Sequence, residues 1–421
     1  FIRRHEQEIL LIVANLSRFS QCVEMDLSAY NGMVPVEMFG RIPFAPIGEW
    51  PYYITLGPHS FFWFSLELQE HDTLQQSDTP FELPVVTVAG NWENIFTKKN
   101  RDRLATILPT VMKMRRWFGG KARAIKGAEI VDVIPMQYNG AKAFTLLVRM
   151  NYVEGTPETY VMPLAYAIPE QAEYVRENFP QAPVATLKSN GKEGLLYDAV
   201  WDPAFCRYLL NNVTRRRRVD GEQGHCFATQ TRAFQAIRGP ADVVLEPRVL
   251  RGEQSNTSIM FGDRLILKLF RRIDEGLNPD LEIGRFLTER TSFENIAPVA
   301  GSIEYQRYQA APTGLAIVQQ FIANQGDAWP YTLDVLSSYL EEAAAQHDTE
   351  HALPFLQASI LSLAEGDVDP LANEVIGPFL ETSARLLGQR TAEMHLALAS
   401  GAGNPDFTPE PFTALYQRSV Y

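Results

Sequence analysis

Val249-Leu250-Arg251-Gly252-Glu253-Gln254-Ser255-Asn256-Thr257-Ser258 leads into Ile259-Met260-Phe261-Gly262-Asp263-Arg264 and then Leu265-Ile266-Leu267-Lys268-Leu269-Phe270. The fold is decided here. Two apolar runs flank Gly262-Asp263, a two-residue hairpin signal. The small polar residues Ser255 to Ser258 offer backbone N–H groups and hydroxyls, which suit phosphate oxygens. Lys268 is the one charge in residues 265–270. An unpaired ammonium is costly to bury, so this lysine must reach water on a solvated face or find an anion.

Downstream, Asn278 is a good helix cap and Pro279 fits the first helical position. That helix carries Glu282 and, one heptad later on the same face, its rival Glu289. A strand over 299–309, the turn Ala311-Pro312-Thr313-Gly314 and a strand over 315–322 make a second hairpin. Asn324-Gln325-Gly326-Asp327 then breaks the pattern, and helical periodicity begins at Tyr331. The order is hairpin with lysine, helix with glutamate, hairpin, hinge. It is the order of a kinase small lobe, in which the lysine holds the α- and β-phosphates and the glutamate orients it.

Working outward, residues 1–67 alternate apolar and polar with regular turn signals, as a small β-sandwich does. Residues 68–82 are polar and read as a linker. A mixed α/β unit is expected over 83–240. In it Leu104, Ile107, Leu108, Val111 and Met112 share one helix face, which Pro109 kinks or starts. The basic Arg115-Arg116-Trp117-Phe118-Gly119-Gly120-Lys121-Ala122-Arg123 reads as a structural turn. The lysine-bearing unit covers 241–328, and helix dominates 329–421. The expected class is multidomain α+β.

Length, at 421 residues, suggests roughly two to four domains. A net charge of −12 opposes general nucleic-acid binding. The run Arg215 to Arg218 is the local exception, either a solvated edge or a phosphate contact. No stretch nears the roughly 20 apolar residues of a membrane span. Cys22, Cys206 and Cys226 form no pairing framework, which fits a reducing cytoplasm. Phe1 opens the chain without a leader pattern, so it reads as an internal piece of a longer protein.

The quoted run 252–258, Leu267-Lys268-Leu269-Phe270-Arg271-Arg272 and Asn278-Pro279-Asp280-Leu281-Glu282-Ile283-Gly284-Arg285-Phe286-Leu287 resemble bacterial maltokinases, relatives of aminoglycoside phosphotransferases. Residues 116–123 resemble that family's N-terminal cap, and Leu387-Gly388-Gln389-Arg390-Thr391-Ala392-Glu393-Met394-His395-Leu396-Ala397-Leu398 resembles a helix of its large lobe. Val13-Ala14-Asn15-Leu16-Ser17-Arg18-Phe19-Ser20 and Leu56-Gly57-Pro58-His59-Ser60-Phe61 resemble the C-terminal β-domain of trehalose synthase. The resemblance implies a fusion with the β-domain over 1–67, the cap over 83–240, the ATP-binding small lobe over 241–328 and the start of the large lobe over 329–421.

It further implies ATP-dependent phosphorylation of maltose at the anomeric hydroxyl, giving maltose 1-phosphate for α-glucan (glycogen) synthesis. Lys268 and Glu282 would serve the phosphates, with Ser255, Asn256, Thr257 and Ser258 as the phosphate loop. Gln320, Phe321 and Ile322 would form the adenine hinge, edged by Asp327 and Trp329. Such a kinase needs a His-x-Asp base and an aspartate that holds Mg2+. None of the seven histidines is followed by aspartate at the second position, and Asp406-Phe407-Thr408 does not complete the metal motif. The chain alone is therefore expected to be inactive, with its Mg2+ ligands elsewhere. Two rival readings are the activity of the trehalose synthase (amylase-like) half and a non-catalytic carbohydrate-binding scaffold. Homo-oligomerisation stays open.

Overall fold

The structure is a computed structural model. It describes all residues except 6–7, 18–20, 39–43, 49–50, 57–59, 69–82, 251–254, 325, 327, 346–372, 374–375, 402 and 421. The linker expected over 68–82 falls almost wholly outside the described residues. By contact the chain forms two units, Phe1–Glu82 with Ala328–Ser383, and Leu83–Asp327 with Ala384–Tyr421. Residues 329–421, read from sequence as one helical region, are thus divided between the two.

The first unit opens on the expected all-β start, and its second segment contributes the helix Ala328–Ala345. Strands β1 (Ile2–His5), β2 (Glu8–Ala14), β4 (Met33–Glu37) and β6 (Phe61–Leu68) pair in the order β1-β2-β6-β4, and β3 (Gln21–Met25) pairs with β5 (Tyr52–Leu56). Alternation decides the buried face. Ile9, Leu11 and Val13 of β2 point inward with Phe64 and Leu66 of β6, against Ile54 and Leu56 of β5. Phe44 meets Phe62 and Phe64 edge-on at 5.4 and 4.8 Å, the arrangement that ring quadrupoles favour.

The second unit holds two seven-stranded sheets. The first contains β7 (Val85–Val88), β8 (Ile125–Tyr138), β9 (Ala141–Tyr152), β10 (Glu158–Ala167), β11 (Pro183–Ser189) and β12 (Lys192–Asp198) in the order β7-β11-β12-β10-β9-β8. The β8–β9 hairpin turns on Asn139-Gly140, both at positive φ (45° and 75°), the backbone that a tight two-residue hairpin needs. Helix α1 (Lys98–Lys113) buries Leu104, Leu108, Val111 and Met112 against this sheet. Pro109 lies inside α1, which starts eleven residues earlier at Lys98 and not at the proline. Two further helices follow, α2 (Pro169–Asn178) and α3 (Pro203–Thr214). Asp202 caps α3 by accepting from the Ala204 N–H at 2.8 Å.

The second sheet contains β13 (Arg218–Asp220), β14 (Gly224–Gln230), β15 (Pro247–Val249), β16 (Asn256–Phe261), β17 (Leu265–Phe270), β19 (Val299–Arg307) and β20 (Thr313–Gln320), ordered β13-β14-β19-β20-β17-β16-β15. Short α4 (Phe234–Arg238) precedes β15, and β18 (Arg272–Ile273) crosses to pair with β10 of the first sheet. Helix α5 (Pro279–Arg290) connects β18 to β19. The sequence reading starts this unit near residue 241, yet β13 and β14 already belong to its sheet. β14 pairs with β19 along its whole length, a long-range partnership that no local period announces.

Asp132 ties the two sheets together. Its carboxylate is fully buried. It accepts from the backbone N–H groups of Val133, Glu222 and Gln223 at 2.7, 2.8 and 3.1 Å, and from the Tyr305 hydroxyl at 2.7 Å. Asp132→Ala strands these donors and is expected to destabilise the chain by about 3 kcal/mol or more, since unsatisfied buried groups each cost roughly 1–3 kcal/mol. A urea unfolding midpoint unchanged in that variant would show that the cluster contributes nothing.

Candidate nucleotide face and the cap that adjoins it

Cross-strand register decides what Lys268 can reach. In antiparallel pairs, residues directly opposite share a face. Lys268 lies opposite Ser258 on β16 and Ile317 on β20, so these three side chains share one face. Ser258 and Ile317 are buried, whereas Lys268 is half-buried. Leu265, Leu267 and Leu269 face the other way, into the core. A lone half-buried ammonium between a buried hydroxyl and a buried isoleucine is poorly solvated by the protein itself and favours an anionic ligand.

The expected partnership of Lys268 with Glu282 is not formed. Among the described residues Lys268 makes no ion pair with Glu282 or with Glu289. Asn278 caps α5 as expected, its Oδ1 accepting from Asp280 and Leu281 N–H groups at 2.9 and 3.3 Å. Glu282 therefore sits in the first turn, where the helix dipole already favours its charge. Glu289 instead accepts from the Arg232 backbone N–H at 3.3 Å. The ion pair that joins α5 to the sheet is Arg285 with Glu304 of β19, at 2.9 Å. The same guanidinium nitrogen donates to Thr229 and Ser302 hydroxyls at 3.1 and 2.9 Å. Sequence reasoning missed this pair. Glu304 lies among Ser302, Gln306 and Arg307 on β19, so it stands out less in sequence than Lys268 does within β17.

The proposed phosphate loop divides. Ser255 is exposed and Asn256 opens β16. Thr257 points away from Lys268, because neighbouring strand residues alternate faces. Its Oγ1 accepts from Arg271 Nε at 2.7 Å. Residues 251–254 lie outside the described residues, as does Asp327. At the hinge, two of the three backbone donors are already engaged: Gln320 N–H donates to Pro298 O and Phe321 N–H to Arg264 O, at 2.9 and 2.8 Å. Ile322 is the one whose N–H has no protein acceptor among the described residues. Trp329 is exposed and belongs to the first unit.

On the far face of the β15–β16 hairpin lies a cavity of about 260 Å³, lined by Arg115, Trp117, Asp198, Thr257 and Arg271 among others. Arg271 is buried and satisfied: besides Thr257 it donates to Asp198 at 2.7 Å and to Val161 O at 3.4 Å. Its guanidinium lies 4.8 Å from the Trp117 ring centre, a cation–π contact. Arg115 donates to the carbonyls of Gln181 and Pro183. Burial holds its guanidinium below the ordinary arginine range, with Arg271 adding to this and Asp198 opposing it.

Within residues 115–123, Arg115, Trp117, Phe118 and Arg123 serve the packing of this unit. Phe118 is buried, and Arg123 stacks 3.5 Å from the Tyr152 ring centre while pairing with Glu158 at 3.2 Å. Burial pushes the Glu158 carboxyl up. Hydrogen bonds from Tyr152 and Tyr160, with Arg272 and Arg123 nearby, outweigh that and leave it below the usual carboxylate range. Lys121 is exposed.

Two family models match the chain: the maltogenic amylase C-terminal domain over residues 1–63, and the maltokinase N-terminal cap domain over residues 112–202. Trehalose synthase of Thermus thermophilus is 27% identical over 417 residues, covering 90% of this chain and 40% of that protein. Trehalose synthase of Pimelobacter sp. (strain R48) is 54% identical over 59 residues, 14% of this chain and 10% of that protein. This chain therefore spans less than half the length of either relative. Among solved structures, a glucosamine kinase in complex with glucosamine, ADP and inorganic phosphate aligns with a TM-score of 0.39 and 13% identity, over 74% of this chain and 53% of that one. An amylase-type C-terminal β-domain stands ahead of a maltokinase cap in a single polypeptide that also aligns with trehalose synthases, and in this the chain matches a fusion of trehalose synthase with maltokinase.

Proposed function

We propose that the second unit binds ATP for a maltokinase, which transfers the γ-phosphoryl group to the anomeric hydroxyl of maltose. One observation carries this reading. Lys268 stands half-buried beside Ser258, with no carboxylate paired to it among the described residues, in the same compact unit as the matched maltokinase cap. In the transfer, the bond from the γ-phosphorus to the bridging oxygen breaks and a bond to the anomeric oxygen forms. ADP and maltose 1-phosphate leave, and the hydroxyl proton passes to a base. Lys268 would stabilise the charge on the phosphate oxygens as it shifts during transfer, and the Ile322 N–H would meet the adenine edge.

Among the described residues no group of three or more His, Cys, Asp or Glu converges. No described residue is therefore assigned to Mg2+. No described helix is long and apolar enough to cross a membrane.

The test is incubation of the full-length protein with maltose and ATP labelled at the γ-phosphate, which is expected to yield labelled maltose 1-phosphate. Absence of label transfer to any sugar, with ADP binding intact, would sink the maltose assignment but leave the nucleotide face. Glu282→Ala is expected to lower that rate more mildly than loss of Lys268 itself. Glu282 is not in contact with the lysine here and would act by aiming it once nucleotide is bound. A Glu282→Ala rate equal to that of the unmodified protein would remove it from the site.

A second reading rests on the alignment with the Thermus trehalose synthase, which covers most of this chain. On that reading the full-length protein also interconverts maltose and trehalose. Formation of trehalose from maltose without ATP is its measure.

A further inference from the structure

Two members of the run Arg215 to Arg218, which the nucleotide face leaves unused, line a cleft of about 370 Å³ in the second unit. One wall is a stripe of α3 carrying Arg207 and Asn211, continued by Arg215 at its C-terminal cap. The opposite wall is the tip of the β8–β9 hairpin, with Gln137 and Asn139. Arg217 completes the lining, which contains no carboxylate.

The four arginines of the run divide their work. Arg216 donates to Gln230 at 3.3 Å and Arg218 to Asp220 at 3.0 Å. Arg215 and Arg217, the two that line the cleft, are exposed, and their guanidinium groups make no hydrogen bond or ion pair among the described residues. Arg216 itself sits at φ 48°, a left-handed backbone that costs a residue with a Cβ free energy and persists where the surroundings enforce it. That reversal leaves its two neighbours lining one cleft. The third guanidinium, Arg207, is shared with Glu246 at 2.9 Å.

The geometry points to a binding site for a small phosphomonoester of a sugar. Guanidinium forks match phosphate oxygens in pairs, and two of them here pair with no carboxylate among the described residues. The amide side chains of Gln137, Asn139 and Asn211 offer both donors and acceptors, the chemistry that hydroxyl groups require. A concave cleft in a chain of net charge −12 takes a compact dianion and repels an extended polyanion. The site shares no residue with the nucleotide face, so it stands or falls independently of the maltokinase reading.

The test is calorimetric titration of the whole chain with glucose 1-phosphate. Saturable binding is expected. It should weaken about tenfold or more in Arg215→Gln/Arg217→Gln, as loss of charge-assisted hydrogen bonds implies. Both side chains are exposed, so the substitutions leave the core intact. Lys268→Ala should bind as the unmodified chain does, glucose should not bind, and inorganic phosphate should bind at least about tenfold more weakly. No saturable binding, or an unaltered affinity in the double variant, would overturn the site. Loss of binding in Lys268→Ala would move the ligand to the nucleotide face, and inorganic phosphate binding as tightly as glucose 1-phosphate would strike the sugar from the proposal.

Discussion

Lys268→Ala is expected to weaken binding of a fluorescent ADP analogue to this chain by roughly tenfold to a hundredfold, the loss of one charge-assisted hydrogen bond at about 1.5–3 kcal/mol. In the full-length protein, maltose phosphorylation should fall further than binding does, because charge on the phosphate oxygens shifts most during transfer. The substitution is mild for the fold. Lys268 sits on the face of β17 opposite its core leucines, and it makes no ion pair that alanine would break among the described residues. Lys268→Met keeps the apolar stem against Ile317, so it should lose the same activity with an unchanged circular dichroism spectrum. Near-normal nucleotide binding in Lys268→Met would sink the assignment of this face.

What the sequence shows of this face is local. Gly262-Asp263 announces the β16–β17 turn, Asn278-Pro279 announces α5, and a charge inside an apolar strand marks Lys268. Each lies within a few residues of the structure it specifies, so period and turn chemistry suffice. What it does not show is long-range. Whether Glu282 meets Lys268 depends on how α5 rotates over the sheet, and Arg285 reaching Glu304, Ser302 and Thr229 sets that rotation. Thr257 illustrates the same limit. It reads as part of a polar loop, yet strand alternation turns it away from Lys268 and toward Arg271, whose other partners Asp198 and Val161 come from far earlier in the chain. At two of the three hinge positions the N–H is already engaged, for a similar reason. Pro298 and Arg264 take the N–H groups of Gln320 and Phe321, and neither acceptor is identifiable from spacing.

The buried pair of Arg271 and Asp198 is where the largest loss of stability is expected. Both side chains are almost fully excluded from water, 1% and 3% exposed, so each charge relies on the other. Asp198→Ala leaves the guanidinium with Thr257, a long bond to Val161 O and the Trp117 ring, but with no anion among its bonded partners. Removing one partner of a buried pair typically costs about 3–5 kcal/mol, far more than the pair contributes when intact, because the remaining charge stays desolvated. Replacing both together, as Asp198→Leu with Arg271→Met, removes the stranded charge and should recover part of that loss. The measurement is hydrogen exchange followed by mass spectrometry. Asp198→Ala should reduce protection in β12, β16 and β10, the strands that hold Asp198, Thr257 and Val161. β1, β2 and β6, in the other unit, should keep theirs. The double variant should fall between the single variant and the unmodified chain. A double variant less protected than Asp198→Ala alone would mean that the guanidinium's remaining bonds to Thr257 and Val161, and not its charge balance with Asp198, hold this junction together.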